Sequence, residues 1–88
     1  MSKTAPSRHE QTSYTKVEDD VVVYQPITDK YIVLNVTAGF LWEHLDGSRD
    51  VTELARLLSR HFCVDEDRAL ADVNELLQLL ASRGLLAQ

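Results

Sequence analysis

The chain has 88 residues, with 14 Asp and Glu against 9 Lys and Arg, a formal charge of -5 and a pI near 5.0. That length suits one small domain, which buries only about 60–65% of the surface its unfolded chain would expose, and the acidic balance repels nucleic acid and anionic lipid, so a basic or neutral partner is easier to accept. Cys63 is the only cysteine, which excludes an internal disulfide. No apolar run approaches the roughly 20 residues of a membrane span, the N-terminal MSKTAPSRHEQTS lacks the apolar core of a signal peptide, and a cytoplasmic protein is the default expectation.

Residues 1–13 are polar, contain Pro6 and show no periodicity, so they bury too little to offset the entropy of ordering and read as a mobile tail. Residues 14–88 remain as one domain. Tyr14 to Val17 is a first strand candidate, closed by the acidic turn Glu18-Asp19-Asp20. Val21 to Gln25 is a stronger one, because three consecutive valines and Tyr24 favour a pleated backbone. Pro26 cannot donate to a ladder and ends it. Pro26 to Asp29 turns the chain, and Lys30 to Leu34 returns as a third strand of an antiparallel meander with both outer strands as edges. Alternation puts Ile32 and Leu34 on one face and Tyr31 and Val33 on the other.

Within KYIVLNVTAGFLWEHL, residues 30–45, the extended pattern becomes a helical one. Asn35 sits at the junction, where its side chain can accept from the free N–H groups of the first turn. The first helix is expected over Val36 to Leu45, with Ala38, Leu41, Trp42 and Leu45 on one face. Gly39 inside it costs roughly 1 kcal/mol against Ala, which points to close approach of another element. Asp46-Gly47 supplies the stop. Asp50 and Glu53 form a capping-box pattern for a second helix whose stripe is Val51, Leu54, Ala55, Leu58 and Phe62. The third helix follows the cap Asp65, with Glu66 and Asp67 at the positive end of its dipole. Leu70, Val73, Leu77 and Leu80 make its expected core face, Ala69, Leu76 and Leu79 widen the apolar arc, and Leu85-Leu86 fold back beyond Arg83 and Gly84.

His61 and Cys63 raise the question of a metal or a thiolate nucleophile. A structural zinc site wants four ligands in paired spacings, and His9, His44 and His61 are scattered. A catalytic cysteine needs an oriented base and a pocket. Cys63 is therefore read as a small buried thiol, His61 as partly exposed, and no catalytic residue, cofactor or metal is expected. Asp65, Glu66 and Asp67 lack the glycine and distal Glu of a calcium loop. Three strands and three helices fit a winged helix-turn-helix, but a third helix carrying Asp65, Glu66, Asp67, Asp72 and Glu75 against Arg68 offers phosphates the wrong charge. Trp42 reads as core, whereas Tyr31 fits core and ligand contact equally and needs a partner outside the core if Ile32 and Leu34 are the buried set.

LNVTAGFLWEHLDG, with DVTELARLL, LADVNELLQLLASRGLL and the closing Arg-Gly-Leu-Leu in that order, resembles the PqqD-like family, the leader-peptide recognition proteins of ribosomal peptide natural-product pathways, over roughly residues 15–87. The resemblance implies an α+β fold of winged-helix type, a three-stranded antiparallel sheet followed by a three-helix bundle. It further implies a non-catalytic protein that takes the leader of a precursor peptide as an extra strand on the third strand, in a groove against the third helix. On these residues that site comprises Lys30, Tyr31, Ile32, Val33, Leu34, Asp72, Val73, Leu76 and Leu80. Leu76 is expected on the groove and Leu77 in the core. The implied partners are the precursor leader and a leader peptidase or other modifying enzyme, with no nucleic acid or membrane, for a monomer or weak homodimer. A lasso-peptide pathway is favoured. The alternatives are a peptide chaperone serving the radical enzyme of PQQ synthesis, a DNA-binding winged helix, and an adaptor that pairs its edge strand with itself.

Overall fold

Alternation of apolar residues around two acidic or polar turns gives a meander of β1 (Ser13–Val17), β2 (Asp20–Gln25) and β3 (Lys30–Leu34), and helical periodicity then gives α1 (Val36–Glu43), α2 (Val51–Phe62) and α3 (Glu66–Ser82). The structure is a computed structural model that describes residues 5–87. The sheet has the order β1-β2-β3, all antiparallel. Val23 pairs with Tyr14 and Ile32, and Val21 with Lys16 and Leu34. Val21, Val23 and Leu34 are thereby buried on the face covered by helices, while Tyr31 and Val33 stand on the outer face. Those side chains join Leu41, Trp42 and Leu45 of the α1 region, Leu54 and Leu58 of α2, and Val73 and Leu80 of α3 in one core.

Gly39 has the role its position implies. A Cβ there would lie 2.6 Å from Val21 Cγ2 and 3.2 Å from Val21 Cβ, and Val21 is a fully buried β-branched side chain that has no free rotamer to move into. Gly39→Ala is therefore expected to lower stability by about 1–3 kcal/mol, although alanine is the better helix former by about 1 kcal/mol. Urea denaturation measures this, and a variant as stable as the parent would show that α1 does not lie this close to β2.

The caps follow the local chemistry. Asn35 Oδ1 accepts from Ala38 N at 2.9 Å, and Asp50 and Glu53 complete a reciprocal capping box at 2.9 Å each way. Asp65 accepts from Arg68 N. At the end of α3, Leu85 N donates to Leu80 O and Gly84 N to Ala81 O, with Gly84 at φ 70°. This is a Schellman stop, and it turns Leu85 into the core.

Three expectations need correction. The first helix ends at Glu43 rather than Leu45 because His44 N and Leu45 N turn inward to Leu41 O and Trp42 O, tightening the last turn. Gly47 lies beyond that stop and donates to Pro6 O. Cys63 is exposed, not buried: it occupies the left-handed position that ends α2, at φ 55° and ψ 43°, where the chain leaves the helix toward solvent. The core face of α3 consists of Ala69, Val73, Leu76 and Leu80, with Leu70 exposed and Leu77 only partly buried. The helix is rotated by about 50°, half of one residue's step, relative to the stripe expected from its leucines.

The segment expected as a polar tail makes backbone pairings at residues 7 and 8. Ser7 bridges Asp46 and Arg8 bridges Leu86. Arg8 Nη1 donates to Trp42 O at 2.9 Å and Glu43 O at 3.0 Å, adding a side-chain donor to the carbonyls at the end of α1. Its guanidinium also faces the Tyr14 and Trp42 rings. Hydropathy has no term for this docking, which rests on backbone hydrogen bonds. The first four residues of the expected tail lie outside the described residues.

Candidate peptide groove

Among the described residues β3 has β2 on one side and no strand on the other, so alternate N–H and C=O groups along Lys30–Leu34 point outward without a ladder partner there. Tyr31 and Val33 are 67% and 64% exposed. The Tyr31 ring packs on Tyr24, centroids 4.9 Å apart. Tyr24 in turn donates its hydroxyl to Asp29 Oδ1 at 2.7 Å, a bond to the neutral phenol that raises the Tyr24 pKa above the usual tyrosine value. This bond ties the β2–β3 turn to the strand face, because Asp29 holds the left-handed turn position at φ 55°.

Two clefts lie along the line where β3 faces α3. The first, about 610 Å³, is lined by Val33, Leu34, Asn35, Thr37, Ala38 and Leu41 on one side and by Arg68, Asp72, Glu75, Leu76 and Leu79 on the other. The second, about 430 Å³, is lined by Lys30, Tyr31 and Ile32, the β2–β3 turn and residues 82–85 after α3. Gln25 forms part of the second cleft's wall. It is buried, donates Nε2–H to Gly84 O at 2.6 Å and accepts from Ile27 N at 3.1 Å, so one amide joins the end of α3 to the turn before β3.

Seven of the nine residues expected in the groove line these clefts: Lys30, Tyr31 and Ile32 in one, Val33, Leu34, Asp72 and Leu76 in the other. Val73 and Leu80 do not. Both are fully buried in the core, because the half-step rotation of α3 carries them beneath the groove wall. Leu76 belongs to both, since it lines the cleft yet is only 7% exposed. The part of the wall that sequence reading missed is Arg68, Glu75 and Leu79, which fall with the expected Asp72 on one stripe at i, i+4, i+7 and i+11. Its helical spacing was visible, but three charged members made it look like an ordinary solvated face.

His61 stacks on Phe40 with centroids 4.2 Å apart, and Cys63 is exposed at the end of α2. Among the described residues no group of three or more His, Cys, Asp or Glu could hold a metal ion, and no helix is long and apolar enough to cross a membrane. The first turn of α3 is spent internally: Asp65 caps the helix, and Glu66 lies 3.9 Å from Arg56. Arg68 lies 3.9 Å from Asp72.

No curated protein matches the chain. Three solved structures share the fold. One is TbiB1 in complex with the TbiA(beta) leader peptide, at 21% identity and TM-score 0.82, covering 91% of this chain and 93% of that one. Another is lasso peptide synthetase B1 complexed with its leader peptide, at 19% identity and TM-score 0.82, covering 96% and 99%. The third is the PqqD truncation of Methylobacterium extorquens PqqCD, a stand-alone recognition element for ribosomally synthesised and post-translationally modified peptides, at 20% identity and TM-score 0.79, covering 99% and 96%. Residues 20–86 match the family model for coenzyme PQQ synthesis protein D, which is more than half of the sequence, and the chain therefore belongs to the PqqD family.

Proposed function

We propose that the protein captures the leader segment of a ribosomally made precursor peptide as a fourth strand on β3, seats alternate side chains in the clefts against α3, and presents the precursor to modifying enzymes without itself catalysing a reaction. The observation that carries this is the open β3 edge lying beside two clefts whose walls combine apolar and charged side chains. Backbone pairing supplies affinity with little sequence preference, and the clefts add selectivity. Two or three anchors of about 1.5–3 kcal/mol each and several hydrogen bonds near 1 kcal/mol exceed the several kcal/mol lost in ordering a peptide, which gives micromolar to nanomolar binding. Two solved structures of the same fold are complexes with leader peptides, which supports a leader peptide as the ligand. A lasso-type pathway is favoured because one of them is a lasso peptide synthetase. The family match keeps a peptide chaperone of PQQ synthesis as the second reading. In either pathway the partner is a cytoplasmic peptidase or other modifying enzyme.

The test is anisotropy titration with labelled leader segments of roughly 10–20 residues, long enough to run the length of an edge strand, taken from precursors encoded beside the gene. Saturable binding of one leader, with no binding to duplex DNA at low salt, is expected. The charge of α3 sets the second half of that expectation: its N-terminal turns present Asp65, Glu66 and Asp67, all exposed, where phosphates would have to approach. Salt-sensitive submicromolar binding to duplex with none to peptide would reverse the assignment.

A further inference from the structure

The groove has opposite charges at its two ends. Near Leu34 its helical wall carries Asp72 and Glu75, with Arg68 3.9 Å from Asp72, while Glu75 has no ion pair among the described residues. Near Lys30 the wall carries Lys30 and Arg83, both exposed and both without an ion pair among the described residues. Between the ends lie Leu76 and Leu79. From this polarity we infer that the protein selects leader segments with a basic side chain followed four residues later by an acidic one, the two flanking an apolar residue; this rests on the strand-capture reading above.

The spacing follows from element geometry. Glu75 and Arg83 are eight residues apart on or at the end of α3, about 12 Å at 1.5 Å per residue, and an extended peptide covers about 13 Å in four residues. Four is also even, so both charged side chains and the residue midway between them share the face that meets α3. The order follows from direction. A strand added antiparallel, as β2 already pairs with β3, starts beside Leu34 and ends beside Lys30, which brings the peptide's first charge to Asp72 and Glu75 and its second to Lys30 and Arg83. The apolar residue between them meets Leu76 and Leu79.

The experiment is selection from a displayed library of random 12-residue peptides against the full chain. Enriched peptides are expected to carry Lys or Arg at one position and Asp or Glu four later. A synthetic binder of that kind should bind about tenfold more tightly at low salt than the same peptide with its two charges exchanged, as two exposed pairs turned repulsive would give. At roughly 0.5 M salt the gap should shrink to about twofold or less. The variant Lys30→Glu, Glu75→Lys, Arg83→Glu should invert the preference, and the single Glu75→Lys, on an exposed helix surface, should reduce it. Enriched peptides that bind β3 with no charge pattern, or a triple variant that folds and keeps the parent's preference, would overturn the inference while leaving strand capture intact. Absence of any enriched binder would overturn strand capture and this inference together.

Discussion

Leu76→Asp should unfold the domain and abolish peptide binding in one step, whereas Leu79→Asp should abolish much of the binding and leave the fold standing. Leu76 is 7% exposed and packs in the core while one edge of it lines the groove. A carboxylate placed there has no partner to neutralise it, and an unpaired buried charge costs several kcal/mol. A small domain of this size has only about 5–10 kcal/mol of total stability. Leu79 lines the same cleft at 38% exposure. Its replacement by Asp removes an apolar contact and adds a like charge one turn from Glu75. The unfolding midpoint should shift by no more than a few degrees, since a surface substitution is worth about 0.5 kcal/mol or less. Affinity should fall by about tenfold or more, because part of a leucine anchor worth about 1.5–3 kcal/mol is lost. Circular dichroism melts and anisotropy on the same samples separate the two cases. A Leu79→Asp protein that binds like the parent would place the ligand elsewhere. Leu77, only partly buried, should show an intermediate loss of stability and little direct effect on binding.

Proline scanning of β3 should give an alternating result. Each residue of an edge strand turns its N–H either toward β2 or outward, and successive residues alternate. Tyr31 and Val33 must therefore behave alike and differ from Ile32. At outward positions proline removes one donor to the ligand and leaves the β2–β3 ladder in place. Binding should weaken by about fivefold or more for the loss of one hydrogen bond near 1 kcal/mol. At inward positions proline breaks the β2–β3 ladder that holds Val23 and Ile32 in register, and stability should fall by about 3 kcal/mol. Thr15→Pro on β1 is the control, since β1 is the other free edge of the sheet and all of its residues are exposed. It should leave affinity unchanged. Affinity lost at Thr15 and untouched throughout Lys30–Leu34 in folded variants would move the ligand to the opposite edge.

The strand-to-helix switch was legible because Asn35, Asp50, Glu53 and Gly84 carry local chemistry that hardly depends on the rest of the fold: each cap is made where its residue type predicts. Period-two alternation likewise separated Tyr31 and Val33 from Ile32 and Leu34, and the structure buries Leu34 and exposes Tyr31 and Val33. Helix three was read half a step out of phase. Its leucines and alanines span too wide an arc for periodicity alone to fix the buried face, and the packing against α2 chose Ala69 and Leu76 over Leu70 and Leu77. That same half step moved Val73 and Leu80 out of the expected groove and brought in Glu75 and Leu79. Arg8 and Gln25 were missed for a different reason. Each satisfies backbone carbonyls far away in sequence, Trp42 and Glu43 for Arg8 and Gly84 for Gln25, and such long-range polar bonds leave no periodic trace. Cys63 was misplaced because an unpaired cysteine is usually buried, whereas here it stands at a left-handed helix stop more often filled by glycine.

Residue-resolved amide hydrogen exchange, followed by NMR with and without a saturating leader peptide, tests strand capture most directly. Outward amides of Lys30–Leu34 have no ladder partner among the described residues and gain one when a strand is added. Alternate amides in that stretch should therefore slow sharply on binding while the amides of Ser13–Val17 keep their free-state rates. Unchanged exchange along Lys30–Leu34 in the saturated complex, with new protection at β1 or on the helices, would contradict strand addition to β3.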